Sequence, residues 1–520
     1  MQPTRLSFLR VLMRKLSEMN ATVTRPLWEM SDKGHGRAVY TIRFAGRAYS
    51  LVAFSQALAD EERTDRVIAT KWDAAFVLFD GVPDDADLAR LAHNVPLQEA
   101  GRLGPRDLVL SRANKSVRLF EHVVQALRAG RQPDKQMIRD TGYLMRTTAV
   151  YGNGKFGLAD RETFAKRDGL TGPFAAEMLT VWLIRAFTHD LAEHLGGAPI
   201  DRALKRHLGI GNATGLGMAP FLVSHPMLLD AWFRVRETAL ARVLALGEIS
   251  EEEAEALMKS ASEAGKYLSS WRVSETDAQA EIDALAGAWS EFRAGFTKAA
   301  LLSPGGLRRV FAKAKAHGTA LEELAAAWLL EPFGALIDDL AEAQATDATP
   351  ELDAAMTCRA LKALIEENCA WALECDFESP EAQAQFWYVS EEKLEPRLGL
   401  RGRDAGCERE TPLDSARQFN ALHEALPAAE TPLWRFLAEH PEHRAAARRA
   451  QMLAHHPYAE VRANLLAQEA APIHLLRAKL SFFGATRFDP KSRLWTRVTL
   501  AQGLPLHDEI GRESPWLPVI

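Results

Sequence analysis

Cysteine is scarce in this chain of 520 residues, which has only Cys358, Cys369, Cys375 and Cys407. These four lack the C-x-x-C spacing of structural zinc sites, so a zinc-dependent fold is not expected. A disulfide-built secreted domain is excluded as well, because such domains are small and rich in cysteine. The sequence therefore predicts a reduced, cytoplasmic protein.

Long apolar runs and an excess of positive charge are also missing. No stretch reaches the roughly 18 apolar residues that a membrane-spanning helix needs. Lysine and arginine number 63 against 69 acidic residues, for a net charge of −6, whereas a nucleic-acid-binding protein needs a basic surface. We therefore expect neither a membrane nor a nucleic acid as partner. A homo-oligomer is compatible with the sequence, and nothing in it specifies a cofactor.

Common enzyme motifs are absent too. The P-loop pattern G-x-x-x-x-G-K-S/T, the hydrolase pattern G-x-S-x-G and the zinc-protease pattern H-E-x-x-H do not occur. Gly152–Gly157 fits the G-x-G-x-F-G stretch of protein-kinase glycine-rich loops, but the H-R-D and D-F-G motifs that a kinase needs do not follow. The preceding residues 143–150 also read as the end of a helix, where a kinase has a strand.

A dinucleotide-binding fingerprint fails for a similar reason. The spacing of Gly209, Gly211 and Gly215 is one residue too long for it. The fingerprint must also follow a strand and open a helix. Here the preceding Arg202–Leu208 has a helical pattern, so a Rossmann fold is not predicted.

Two segments rich in glycine and asparagine, Tyr151–Gly157 and Gly209–Gly217, stand out from a sequence that otherwise reads mostly as helix. Glycine allows positive φ and lets the backbone approach a ligand closely, and successive backbone amides can hold an anion. The segments predict a site for a small anionic molecule, a carboxylate or a phosphate. The alternative is that the glycines serve tight packing and the asparagines cap helices. The chain would then be a non-catalytic helical interaction or regulatory protein.

The predicted substrate-binding residues combine cations, amides, a hydroxyl and glycine backbone: Arg146, Gly152, Asn153, Gly154, Lys155, Gly211, Asn212, Thr214 and Gly215. Arg146 and Lys155 would neutralise the anion, and the glycine amides would surround it. Tyr151 and His225 are the predicted proton-transfer residues, since histidine titrates near neutral pH. The leading prediction is a soluble enzyme whose reaction type the sequence does not specify.

Four side chains that often bind metals, His189, Asp190, Glu193 and His194, lie close together in the sequence. Di-metal helical bundles use Glu-x-x-His pairs, a spacing that is absent here. The four residues fall in the last turns of a helix predicted at 173–194, where the helix dipole favours a protonated histidine. We therefore predict a capped, solvated helix end and no metal site.

The first 20 residues are basic and amphipathic, with Leu6, Leu9, Leu12 and Leu16 separated by arginine and lysine. This pattern is typical of a transit peptide or of a first helix that packs on the body. We favour the helix, because no cleavage-like region follows.

Alternating apolar residues predict strands at 38–44, 49–54 and 74–79, which would form a small antiparallel meander. Strand-like sequence returns at 386–389 and at 493–500. These late strands can extend the early sheet and bring distant parts of the chain together.

The predicted fold class is α+β and mostly α: a small N-terminal antiparallel sheet, a large helical body and a C-terminal region that can add strands. Three regions are predicted: 1–130 with the meander, 131–345 as the helical body with both glycine segments, and 351–520 as a mixed helical region with late strands.

Overall fold

The computed structural model describes residues 8–59, 72–96, 104–147, 167, 169–170, 175–212, 226–272, 276–333, 336, 340, 352–374, 376, 379, 412–454 and 498–510. Within these residues helices and strands are mixed and helices predominate. The predicted α+β class is therefore confirmed.

One sheet contains all the strands found in the described residues, in chain order: β1 Thr22–Met30, β2 Gly36–Phe44, β3 Arg47–Ser55, β4 Ala74–Asp80, β5 Asp107–Lys115, β6 Tyr143–Thr147, β7 Gly209–Asn212 and β8 Val498–Leu500. Neighbouring strands are antiparallel except β6 and β7, which are parallel. The predicted meander is confirmed as β2, β3 and β4. A late strand does join the sheet, because β8 pairs with β7.

The helices that precede the second glycine segment are α1 Phe8–Glu18, α2 Asp85–Asn94, α3 Phe120–Arg128, α4 Lys135–Thr141, α5 Ala175–Gly196 and α6 Arg202–His207. The next group is α7 Pro226–Leu244, α8 Glu251–Ser270, α9 Thr276–Ala294, α10 Lys298–Leu302, α11 Gly306–Ala316 and α12 Thr319–Leu330. The last group is α13 Cys358–Asn368, α14 Ala370–Leu373, α15 Pro412–Ala425, α16 Leu433–Glu439 and α17 Arg444–Ala454. None of these helices is both long enough and apolar enough to cross a bilayer.

Alternation along the strands places apolar side chains on both faces of the sheet. Tyr40 and Ile42 belong to the main core, which also contains α5, whereas Val39 and Val52 belong to a smaller core that includes Leu88 of α2. Both faces are therefore covered by helix. The central helix α5 is buried along most of its 22 residues, as expected for a helix that is apolar nearly all round.

The amphipathic N-terminal sequence forms α1, the packed first helix that we favoured. Its apolar residues Leu9, Leu12 and Leu16 are buried in the main core, where α1 packs against α5. The side chains of Arg14 and Lys15 on this helix are half-buried.

The prediction that residues 143–150 are a helix end is wrong for residues 143–147, and residues 148–150 lie outside the described part of the chain. Helix α4 ends at Gly142, whose φ of 77° is left-handed, a conformation that glycine adopts without steric cost and that commonly ends helices. Tyr143–Thr147 then forms β6. The local sequence resembles a helix end because α4 stops immediately before it.

The division into three regions stays a prediction. The sheet itself combines all three: β1–β5 come from the first region, β6 and β7 from the second and β8 from the third. The helices of the last group form an apolar cluster of their own, which includes Leu361, Ile365 and Phe419. The strand predicted at 386–389 lies outside the described residues.

Candidate functional site

The parallel pair β6 and β7 brings the beginning of the predicted site together. Arg146 lies opposite Gly211, and Thr147 lies opposite Asn212. Helices α5 and α6 connect the two strands, so the unit has β-α-β topology. Because parallel strands end at the same edge of a sheet, the chain leaves β6 and β7 side by side.

Only part of the predicted site falls within the described residues. Arg146, Gly211 and the backbone of Asn212 belong to the sheet. The other predicted residues lie outside the described part of the chain: Tyr151, Gly152, Asn153, Gly154, Lys155, Thr214, Gly215 and His225. The expected convergence of Tyr151–Gly157 on the second segment therefore stays a prediction.

A polar row crosses the sheet at Arg146. It consists of Asn114 on β5, Arg146 on β6, Gly211 on β7 and Thr499 on β8, each paired with the next. Asn114 is 2% exposed and Arg146 is 7% exposed. Such burial of an amide and a guanidinium inside a sheet is unusual, since buried polar groups need partners.

Asp73 adds a buried carboxylate at one end of the polar row. Its backbone N–H donates to Asn114 Oδ1 at 2.9 Å, and its carboxylate Oδ2 accepts from the backbone N–H of Lys115 at 2.9 Å. These two bonds fix the start of β4 against the end of β5. The sequence analysis missed Asp73 and Asn114, although a polar residue at the boundary of an apolar strand was a signal that could have indicated them.

A pair of buried hydroxyls lies next to the polar row. Ser111 Oγ and Thr147 Oγ1 are 2.5 Å apart, and both residues are almost completely buried. Thr147 is the last residue of β6. The carboxyl end of β6 therefore carries a side chain that forms a buried hydrogen bond.

Two glycines of the second segment have a packing role. A Cβ on Gly211 would lie 2.8 Å from ring atoms of Tyr143, and a Cβ on Gly209 would lie 2.2 Å from the carbonyl oxygen of Leu500. Cβ atoms in proteins do not lie this close to other heavy atoms. Glycine at both positions therefore allows the neighbouring chain segments to pack at this distance. Packing explains these two glycines whether or not a ligand binds near them.

The prediction of a solvated helix end is wrong for His189, whereas His194 at the end of the same helix is exposed. His189 is 1% exposed, and its Nε2 lies 3.2 Å from the carbonyl oxygen of Leu208. Burial, followed by the nearby charges of Arg185 and Lys205, lowers the pKa of His189 well below its ordinary value, although the bond to Leu208 raises it. The imidazole is therefore neutral at pH 7. Among the described residues no group of three or more His, Cys, Asp or Glu side chains could hold a metal.

A late segment of the chain, residues 498–510, holds β7 in place. We call it the C-terminal strap. Arg185 is 1% exposed, and its guanidinium donates to carbonyl oxygens of the strap, of Leu504 and Pro505, each at 3.1 Å. It also donates to Leu208 and Arg206 at the end of α6, at 2.8 Å and 2.9 Å. One buried cation thus ties α5, the residues that lead into β7 and the strap together.

Comparisons of this chain with protein-family models, with curated proteins and with known three-dimensional structures give no match. Its function has to be inferred from its own residues.

Proposed function

We propose that this chain is an enzyme that binds a small anionic substrate, a carboxylate or a phosphate, where β6 and β7 end side by side. The observation that carries the proposal is the place of Arg146, a buried cation at the second-last residue of β6, paired with Gly211 near the end of β7. A guanidinium can bind a carboxylate or phosphate through two parallel hydrogen bonds.

The topology supports this position for the site. In open sheets with β-α-β units, ligands bind outside the carboxyl ends of the parallel strands. Beyond the ends of β6 and β7 the chain continues into the predicted residues Lys155 and His225. In this proposal Lys155 supplies a second cation, and His225 or Tyr151 transfers the proton.

Calorimetric titration with inorganic phosphate and with succinate tests the proposal. The unchanged chain is compared with Lys155→Ala and with a control, Lys259→Ala, which removes an exposed lysine from α8. We expect saturable binding of at least one anion, weakened about ten- to a hundred-fold by Lys155→Ala through loss of a charge-assisted hydrogen bond. The melting temperatures of all three proteins should agree. Absence of saturable binding, or equal affinity in Lys155→Ala, would contradict an anion site at these segments.

The alternative function is a non-catalytic helical interaction or regulatory protein. The close contacts at Gly209 and Gly211 favour it, because they give these glycines a packing role that needs no ligand. It predicts that Gly211→Ala destabilises the fold while Lys155→Ala changes neither stability nor binding. The titration above therefore separates the two functions.

A further inference from the structure

An indole group without a hydrogen-bond partner lies at one end of the polar row. Trp72 immediately precedes Asp73, whose backbone N–H donates to Asn114 Oδ1 at 2.9 Å. The Nε1–H of Trp72 is shielded from solvent, and no described residue accepts a hydrogen bond from it. Buried donors are normally paired, because bulk water cannot replace the missing acceptor. The unpaired indole N–H therefore indicates that a ligand supplies the acceptor.

Arg112 brings a guanidinium to the same place. It lies opposite Ala75 on β4, but its guanidinium carbon is 5.5 Å from the centroid of the Trp72 ring. Trp72 comes before Ala75 in the chain, so the side chain of Arg112 extends towards the start of β4, where Asp73 is bonded to Asn114. A guanidinium over an indole ring is attracted to the π-electrons of the ring. The indole therefore positions Arg112 beside the polar row.

Arg112 and Arg146 are diagonal neighbours on one face of the sheet. Arg146 is paired with Asn114, and Arg112 precedes Asn114 by two positions on β5. Alternate residues of a strand share a face. Diagonal neighbours on adjacent strands lie about 7–8 Å apart, within reach of long side chains. The two guanidiniums and the indole N–H therefore occupy the same part of this face.

The net charge of this group of side chains is positive. Arg112 and Arg146 are cations, and Asp73 offsets one of them. The Oδ2 atom of Asp73 already accepts a hydrogen bond from the backbone N–H of Lys115 at 2.9 Å. The ammonium of Lys115 lies elsewhere, over the ring of Phe120 at 4.9 Å from its centroid. An anion at the polar row would therefore neutralise the remaining positive charge.

We propose that the anion bound at Arg146 is a phosphate group, held by Arg112 and Arg146 and by a hydrogen bond from Trp72 Nε1–H. This inference rests on the proposed anion site and names its substrate class. A phosphate group presents three acceptor oxygens in different directions, which suits donors that come from β5, from β6 and from the residue before β4. A carboxylate has only two oxygens in one plane. Guanidinium groups bind phosphate through parallel hydrogen bonds.

NMR of the isotope-labelled full-length chain follows the indole N–H of Trp72 directly. Its resonance is identified from its absence in Trp72→Phe, which keeps an aromatic ring beneath Arg112 but has no N–H. During titration with inorganic phosphate we expect this resonance to move downfield and to saturate, and with succinate we expect a much smaller movement. An unmoved resonance at high phosphate refutes the contact, and equal movement with both anions refutes the choice of phosphate.

Calorimetry measures what the indole N–H contributes to binding. Trp72→Phe should bind inorganic phosphate about five- to tenfold more weakly, because one hydrogen bond to the anion is lost. The control Trp434→Phe changes an exposed tryptophan of α16 and should bind as the unchanged chain does. Equal affinity in Trp72→Phe and in the control contradicts the proposal.

Arg112→Gln provides a second test should Trp72→Phe fail to fold. It should weaken phosphate binding about ten- to a hundred-fold through loss of a charge-assisted hydrogen bond. The control Arg139→Gln removes an exposed arginine from α4 and should leave the affinity unchanged. Equal affinity in both variants refutes the role of Arg112.

The two anions of the titration distinguish this inference from the proposed function. Saturable binding of succinate alone, weakened by Lys155→Ala, would leave the anion site in place and overturn its assignment to phosphate. Saturable binding of neither anion would overturn both. Phosphate binding that depends on Lys155 but not on Trp72 or Arg112 would support the anion site and refute this way of holding the phosphate.

Discussion

Arg206 and Glu509 form a bidentate ion pair between α6 and the C-terminal strap. Arg206 Nε donates to Glu509 Oε2 at 2.9 Å, and Nη2 donates to Oε1 at 2.6 Å. Arg202 donates to the same carboxylate. Burial raises the pKa of Glu509, but hydrogen bonds from Arg206, the backbone of Leu506 and Arg202 outweigh burial and lower the pKa to about 2. The strap is thus held by a carboxylate that stays ionised in mild acid.

Glu509→Gln should destabilise the fold and change its response to acid. A carboxylate whose pKa is lower in the folded state contributes stability above its ordinary pKa of 4.5 and loses it as pH falls towards about 2. We expect the free energy of unfolding at pH 7 to fall by about 1–2 kcal/mol, a value reduced for solvent screening. Urea unfolding at pH 7 and pH 3 should show a flatter acid dependence in the variant. In the control Asp508→Asn, the carboxylate that is lost is 45% exposed and pairs with Arg202. This variant should lose less stability than Glu509→Gln.

Arg185→Met should be strongly destabilising. The guanidinium of Arg185 donates hydrogen bonds to carbonyl oxygens of α6 and of the strap. An apolar side chain would leave these buried acceptors unpaired. We expect a loss of about 3–5 kcal/mol in the free energy of unfolding. In the control Arg128→Met, the arginine lost donates to Leu195 at the surface, and the change should stay within about 0.5 kcal/mol. Similar losses in both variants would show that the buried hydrogen bonds of Arg185 stabilise the fold no more than the surface hydrogen bond of Arg128 does.

His189→Gln should remove part of the acid sensitivity of the fold. Because the pKa of His189 is lowered by burial, the unfolded chain takes up a proton below its ordinary pKa of 6.5 while the folded chain does not. Stability then falls with decreasing pH by up to about 1.4 kcal/mol per unit. Denaturant unfolding at pH 7.5, 6.5 and 5.5 should show a shallower slope in His189→Gln. The exposed control His317→Gln should keep the slope of the unchanged chain, and equal slopes in all three proteins would contradict the prediction.

Gly211→Ala should destabilise the fold, because the new methyl group would lie 2.8 Å from ring atoms of Tyr143. Overpacking of this kind typically costs about 1–3 kcal/mol. Gly247→Ala is the matched control, since a Cβ there would meet nothing within 4 Å. Thermal unfolding of the two variants gives the comparison. A melting temperature of Gly211→Ala equal to that of Gly247→Ala would mean that Tyr143 moves aside freely.

The sequence was sufficient to predict the elements whose periodicity is strong. The meander β2–β4 follows from alternating apolar residues, and α5 corresponds to the helix predicted at 173–194. The start of α8 is equally local, because Ser250 and Glu253 form the two reciprocal hydrogen bonds of a capping box within four residues. Each of these features depends on contacts within one short segment.

Apart from the late strand β8, features that depend on distant partners were not predicted. β6 and β7 have five and four residues, too short for a periodic pattern, and their pairing depends on the crossover through α5. The hydrogen bond of the buried His189 goes to Leu208, which the chain reaches only after α6. For the candidate site, the sequence indicated Arg146 and Gly211 but could not show that they are neighbours. Asp73 and Asn114 were missed because their roles appear only when β4, β5 and β6 are side by side.

The dependence of the sheet on the C-terminal strap has a consequence for protein synthesis. Glu509 leaves the ribosome 303 positions after its partner Arg206. Until then β7 lacks its outer neighbour, and Arg185 lacks two of its acceptors. Until that point the nascent chain has an incomplete sheet with exposed strand edges, which chaperones protect from aggregation. Native contacts between such distant residues also slow folding, because a long loop must close first.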